Sequence, residues 1–510
     1  MSEIPENFRP FDDPVKAVDE ITKLYDQSIN TLREAWTDFS KNDLRDNVHA
    51  FYPQVSVEIT ERSRTRNSLD SFGFMTMPSH YSTTITRPEF FRDYLIEQLV
   101  AIRKNHDVPI HVGFSTEPIP IHFAFYDDYQ PEPLSTEQQS DLRYVFDVPS
   151  ALNDNLDDRI ADGNYDYSNG DMPLALFTAP RVDKGMAKAT YYSGTRLDFF
   201  QDHIIFTNYD DYVQRFLEMA KGLFSEGSHE AKEALGEEAV NTYLALIEPG
   251  NVITLNQNIP DIQEQFQHVS GTAPKRAPQM PGYHLVRKDG DGISLVNIGV
   301  GPSNAKNMTD NLAVLRPSSY TMLGHCAGLT DDQRLGDYVL ANAYHRRDSI
   351  LDKHVPIDTP IPPIAEIQEA LKQGISKAVG LDPEKDREEL KRRYRTGTVT
   401  TEDDRNWEED HRAVLFKRFL QSRSIGLDME SATIAANGFR FRVPYGAILC
   451  VSDKPLHGEI KLPGMVNEFY KRSVGEHFWA GIHAIESLRK QDKRKVHSRK
   501  LRSPFEPPFR

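Results

Sequence analysis

The chain has 510 residues and a formal charge of −16, with 60 Lys or Arg against 76 Asp or Glu. That length exceeds what one ordinary core organises, so two domains are expected, and 38% hydrophobic with 27% charged residues excludes a disordered chain. The acidic balance excludes nucleic-acid binding through a bulk basic surface and leaves open an anionic small molecule, which needs only a local cluster of Arg and Lys.

Residues 14–36 carry Val18, Ile21, Leu24, Tyr25, Ile29 and Leu32 at helical spacing. Residues 52–60 and 81–86 read as strands, and Pro88 opens a second helix. Residues 109–117 read as a third strand and 121–125 as a fourth, which makes the first 150 residues mixed α+β. Arg87 after its Thr-rich strand is more simply a solvated charge than an anion ligand. Residues 127–195 are rich in Asp, Asn, Gly and Pro and read as connections at a domain seam.

From Asp198 the texture changes to strand and helix. DHIIFTNY reads as a strand and turn, followed by a helix, and residues 271–282 read as a flexible linker. After it comes ISLVNIGVGPSNAK, a strand ending in a Gly299–Gly301 turn with a helix starting at Ser303. Such a turn offers backbone N–H groups to an anion or a ribose, although Gly also simply permits a turn. SYTMLGHCAGL is an apolar strand carrying His325 and Cys326. LGDYVLANAYHRRD ends in His345, Arg346 and Arg347. Helix 364–380 and strand 396–401 follow, with Asn406 and Trp407 in the next loop.

The stretch from Leu427 to Pro455 then places Asp428, Met429 and Glu430 before an alanine-rich helix that Asn437-Gly438 is expected to end. An apolar run, Tyr445 to Val451, reads as a buried strand with Ser452 and Asp453 at its carboxyl end, where open α/β sheets bind ligands. Each carboxylate alone reads as a cap or a turn residue. The basic tail after Lys493 reads as an exposed arm.

Cys326 and Cys450 are the only cysteines and lie in core-like runs, which suits a reducing cytosol. No CxxC or HExxH spacing occurs, so no metal is expected. The acidic N-terminus has no signal-peptide h-region, and no apolar run is long enough to span a bilayer. A cytoplasmic protein without nucleic-acid or membrane partners is expected.

Taken in order, IGVGPSNA, GHCAGL with GDYVL, RTGTVTTEDDRNW, and DMESA with VSDKP resemble the purine nucleoside phosphorylase and nucleosidase superfamily over about residues 198–490. The wording of VNIGVGPSNAK, LAVLRP, RTGTVTTEDDRNWE, DMESATIAA and VSDKPLHGEIKLPG, with TTITRP, HSRKLR and EPPFR, is similar to that of AMP nucleosidases within it. The resemblance implies an α/β three-layer sandwich with a mixed, largely parallel sheet, plus a smaller N-terminal α+β domain. The expected division is 1–180, 181–490 and a basic arm at 491–510.

It also implies hydrolysis of AMP to adenine and ribose 5-phosphate. Asp453 would protonate the purine at N7 and Glu430 would hold the ribose hydroxyls, with Met429 under the sugar beside Asp428. His325 stands where relatives carry Ser or Thr, so its part is either water positioning or packing. Together with Cys326 it borders the region of the reacting carbon. Asn406 or Trp407 would meet the base. The 5′-phosphate needs cationic or N–H donors; Arg346 and Arg347 are the first candidates, with Arg316, Lys306 and the Gly301–Ser303 turn behind them. Implied effectors are MgATP as allosteric activator and inorganic phosphate as inhibitor, and the implied assembly is a homohexamer. Competing readings are a phosphorylase or nucleosidase of other 5′ specificity, and a non-catalytic nucleotide sensor.

Overall fold

The computed structural model describes residues 4–5, 7–41, 46–63, 71–125, 131–149, 156–168, 171–225, 229–458, 465–491, 496, 502 and 506–510. The chain forms two units, Met1–Ala187 with Arg502–Arg510, and Lys188–Leu501. Residues 459–464 of the VSDKPLHGEIKLPG motif, and most of HSRKLR, lie outside the described residues.

The first unit holds a five-stranded sheet of β1 (Arg9–Phe11), β2 (Phe51–Ile59), β3 (Ser79–Thr84), β4 (Ile110–Pro118) and β5 (Asp171–Pro173), in the order β1-β4-β2-β3-β5. The Pro14–Ser40 helix packs on it through Ile21, Tyr25, Ile29 and Leu32, the apolar stripe legible in the sequence. Its start is fixed by Asp13, whose carboxylate accepts from the Val15 N–H, and by Pro14 in the first turn.

Three expectations for this unit need correction. Residues 121–125 form a short 3-10 turn, Ile121–Phe123, rather than a strand; Pro118 and Pro120 remove the donors a ladder would need. The supposed seam contains two helices, Thr136–Val145 and Ala179–Ser193. The first is closed by a reciprocal Ser135–Gln138 capping box, a signal present in the sequence. The described end of the tail is not an exposed arm: Phe509 is buried at 1% exposure, and its N–H donates to the Leu174 carbonyl at 2.9 Å. Arg87 pairs with the buried Asp183 at 3.7 Å, which gives it a structural partner.

The second unit is built on a ten-stranded mixed sheet. Its strands are β6 (His203–Thr207), β7 (Tyr243–Glu248), β8 (Val252–Leu255), β9 (Gly282–Arg287), β10 (Ile293–Asn297), β11 (Ser319–Gly328), β12 (Tyr338–Arg347), β13 (Tyr394–Glu402), β14 (Ser424–Asp428) and β15 (Tyr445–Asp453). The order is β14-β13-β12-β15-β11-β6-β10-β9-β7-β8, with β14 also bonded to β11. The central run β15-β11-β6-β10 is parallel, so these four strands end at one edge. The β10-β9-β7-β8 edge and the β12–β15 and β11–β14 junctions are antiparallel.

Helices cover both faces. On β15, Tyr445 lies against Gly438 of the Ser431–Phe441 helix, while the neighbouring Gly446 lies against Ile367 and Leu371 of the Ala365–Ala378 helix. Successive strand residues point to opposite faces, so these two helices form the outer layers of a three-layer sandwich. The Ser431–Phe441 helix runs through Asn437-Gly438, where its end was expected, and stops at Arg442 in the left-handed region (φ 61). Two contacts override the Asn-Gly signal. Asn437 is buried and donates to Thr309 Oγ1 and Asp310 Oδ1, each at 2.8 Å. At Gly438 an added Cβ would come within 2.6 Å of the Tyr445 ring, so close packing demands glycine inside the helix.

Residues 271–282 are not a domain linker. They lie within the second unit, tied by Thr272 N–H to the Gly250 carbonyl and Met280 N–H to the Tyr192 carbonyl, each at 3.0 Å.

Candidate active site

Four strand ends meet at one edge because β6, β10, β11 and β15 are parallel neighbours. The antiparallel pairing of β14 with β11 brings in a fifth strand, and a register irregularity between β11 and β15 at Cys326/Ala327 skips Ser452. Ala327 pairs with Asp453 of β15 on one side and with Leu427 of β14 on the other. Asp453 thus ends one strand beside Ala327, and Glu430 follows two residues after the end of the other.

Glu430 is buried at 2% exposure just before the Ser431–Phe441 helix. Its Oε1 accepts from the Gly301 N–H at 2.6 Å, and its Oε2 accepts from Asn208 Nδ2 at 3.1 Å. The Gly301 backbone sits at φ 119, in the region that favours glycine, and this presents its N–H ahead of Pro302. Burial, and then the neighbouring Asp428, push the Glu430 carboxyl upward.

Asp428 is also buried and also raised, chiefly by burial. Its oxygens accept from Thr401 Oγ1 at 2.6 Å and from the Ser431 N–H at 2.8 Å. Asp428 therefore caps the helix that Glu430 precedes, while Met429 between them is half-buried.

Asp453 is 7% exposed at the end of β15, and the Ser452 hydroxyl donates to its Oδ1 at 2.5 Å. The Cys326 carbonyl on β11 lies 3.4 Å from the same hydroxyl, a more distant alternative acceptor for its one proton. His325 and Cys326, both buried, precede that contact on β11. The His325 ring lies edge-on to Tyr209 with centroids 4.6 Å apart, and Tyr209 follows Asn208, the residue that holds Glu430.

The remaining candidates are placed differently. Trp407 is buried in an apolar cluster with Ala327, Leu415, Phe419 and Leu427, whereas Asn406 is exposed. Arg346 is buried and holds Asp352 at 2.7 Å and the Val355 and Pro356 carbonyls. Arg347 pairs with Glu402 at 3.0 Å. Glu402 follows Thr401 on β13, so it points to the face opposite Asp428 and carries Arg347 away from it. Lys306 pairs with Asp310, Arg316 donates to the Val314 carbonyl, and Ser303 is exposed.

The sequence reading missed Asn208, Tyr209, Tyr212 and His477. Asn208 had a usable signal: it ends a fully buried strand at a turn, the arrangement already singled out at Asp453. His477 had none, being one of two histidines on a long helix. Among the described residues no group of His, Cys, Asp and Glu is placed to hold a metal ion, and no helix is long and apolar enough to cross a membrane.

Residues 16–172 match a family model described as bacterial AMP nucleoside phosphorylase N-terminus, and residues 271–475 match the phosphorylase superfamily. A curated AMP nucleosidase from Escherichia coli K12 is 42% identical over 504 residues, covering 98% of each chain. One from Escherichia coli O157:H7 has the same identity and coverage. Among solved structures, an AMP nucleosidase from Bacteroides thetaiotaomicron is 25% identical, with a TM-score of 0.40, covering 61% of this chain and 99% of that one.

Proposed function

The chain belongs to the AMP nucleosidase family, and from that premise we propose how its residues divide the reaction. The enzyme hydrolyses the N-glycosidic bond of AMP to adenine and ribose 5-phosphate. Asp453 gives a proton to the purine N7 as the bond to C1′ breaks. Its Oδ1 accepts from Ser452, so the proton-bearing oxygen in this reading is Oδ2. Glu430 accepts the ribose hydroxyls, using lone pairs beyond those engaged by Gly301 and Asn208. The developing positive charge on the sugar draws Glu430 into its ionised form, so its stabilisation is largest at the transition state.

The observation that supports this division is the pairing of β11, which sets Asp453 on one side of Ala327 and, on the other, Leu427 of the strand that leads into Glu430. MgATP as activator and inorganic phosphate as inhibitor, acting on the first unit, complete the proposal, with a homohexamer as the assembly and the cytoplasm as the site. Motif resemblance over both units supports these points.

The test is product identification with AMP or adenosine, each with and without inorganic phosphate. Hydrolysis of AMP requires ribose 5-phosphate without added phosphate. Ribose 1,5-bisphosphate, formed only when phosphate is present, would establish phosphorolysis instead. Adenosine turning over as well as AMP would overturn the 5′-phosphate specificity.

A further inference from the structure

Given the hydrolytic reading above, the water that attacks C1′ needs a group to orient it and accept its proton. Neither Asp453, engaged with the base, nor Glu430, engaged with the sugar, is assigned to that task. A chain of buried side chains leads to a third group. The imidazole of His477 lies 3.0 Å, through Nε2, from the Ile448 carbonyl, which can only accept. Nε2 therefore carries the proton. Burial holds His477 down to about 4, so the ring is neutral and Nδ1 offers a lone pair. The Tyr212 hydroxyl is 2.5 Å from that Nδ1 and must donate to it. With its hydrogen so directed, the Tyr212 oxygen is an acceptor on its other side. His325 Nε2 lies there at 3.4 Å, the longest link of the chain. The proton of a neutral His325 is thereby placed on Nε2, and Nδ1 becomes the basic nitrogen.

The location agrees with the chemistry. His325 packs on Tyr209, beside the Asn208 that holds Glu430, and it stands two residues before the Ala327 that pairs with Asp453. We propose that His325 is the catalytic base for the hydrolytic water, and that Tyr212 and His477 are positioning residues that fix its tautomer.

The step balances as follows. The C1′–N9 bond breaks and its electron pair leaves with adenine, which takes a proton at N7 from Asp453. The water oxygen bonds to C1′ and its proton passes to His325 Nδ1, while Nε2–H still donates to Tyr212. Proton exchange with solvent then returns both residues to their starting states.

The experiment is a mutant cycle on the full chain, read as kcat and KM for adenine release from AMP. His325→Ala is expected to lower kcat about 10²-fold or more, the order for a lost general base, with little change in KM. Tyr212→Phe keeps the ring and its packing and is expected to lower kcat about 10-fold by releasing the tautomer. The double variant should be no slower than His325→Ala alone, because Tyr212 acts only through His325. His477→Gln, whose amide can both donate and accept, should retain more kcat than His477→Leu.

Additive losses in the double variant overturn the inference. So does a folded Tyr212→Phe protein with unchanged kcat, which decides the matter even where His325→Ala fails to fold. Failure of the parent reading looks different: the unaltered enzyme would then release no adenine from AMP.

Discussion

At the scale of the residue, Glu430 shows what burying a carboxyl costs. A carboxylate taken out of water and set beside Asp428 is raised in the folded chain and not in the unfolded one. Across the interval between its two values the folded state holds more protons. Stability attached to this group therefore falls as pH rises through that interval. Glu430→Gln removes the charge, and Asn208 can turn its amide to meet the new donor. The variant should melt higher than the unaltered protein at pH 8 by about 2–4 °C, with the difference shrinking at pH 5; thermal unfolding at both pH values measures this. An unchanged difference across that range would exclude burial strain at Glu430. The same variant should lose kcat far more than AMP affinity, because its charge matters most when the sugar is cationic.

Asp453 carries a separate expectation at this scale. Asp453→Asn keeps the size and the Ser452 contact but has no carboxyl proton to give. Turnover should fall roughly 10²-fold or more, while AMP still binds. Stopped turnover with AMP affinity measured by calorimetry separates the two effects. Near-normal turnover would remove Asp453 from the mechanism.

At the scale of the element, the Ser431–Phe441 helix does the positioning. Its first turn is capped by Asp428, its middle is tied to Thr309 and Asp310 through Asn437, and its last turn packs on Tyr445 through Gly438. Glu430 sits at its start, so a shift of this helix moves the carboxylate away from Gly301 and Asn208. Gly438→Ala would place a methyl group 2.6 Å from the Tyr445 ring and 2.9 Å from the Val443 carbonyl. Overpacking of this kind costs about 1–3 kcal/mol. The urea midpoint should fall accordingly, although alanine is the better helix former by about 1 kcal/mol. A rise in the midpoint would show that the ring yields.

At the scale of the whole molecule, the described candidates for chemistry all belong to the second unit, from Asn208 onward. The first unit has its own sheet, its own helices and a buried Asp183 that binds Tyr52, Thr86 and Arg87. Residues Arg502–Arg510 belong with it, so a fragment should end before them. Residues 188–501 expressed alone are expected to hydrolyse AMP and to lose the response to MgATP and phosphate. A coupling of about 1–3 kcal/mol corresponds to a loss of roughly 5–150-fold modulation in apparent affinity. Initial rates with and without the effectors, on a fragment shown to be folded, give the answer. A fragment that keeps the full response would place regulation in the second unit.

The sequence by itself determined the local elements and the order of the motifs. The stripe of Ile21, Tyr25, Ile29 and Leu32 made the first helix legible. The runs ISLVNIGV and Tyr445 to Val451 made buried strands legible, because hydrophobic periodicity is a local property. It also singled out Glu430 and Asp453, since each stands where a strand or helix ends.

Tertiary structure decided what required partners distant in sequence. The irregularity at Cys326/Ala327 sets Asp453 against Ala327, which β14 pairs through Leu427 on its other side, and strand register is a matter of pairing, not of composition. Asn437-Gly438 continues a helix because Thr309, Asp310 and Tyr445 meet it there. Phe509 is buried and its backbone N–H donates to Leu174, a long-range contact that no local rule for a basic tail anticipates. His477 gains its partner Tyr212 from 265 positions away. A histidine on a long helix has no periodicity to announce its partner, so only the packing of that helix against the Asp210–Phe224 helix could reveal the contact.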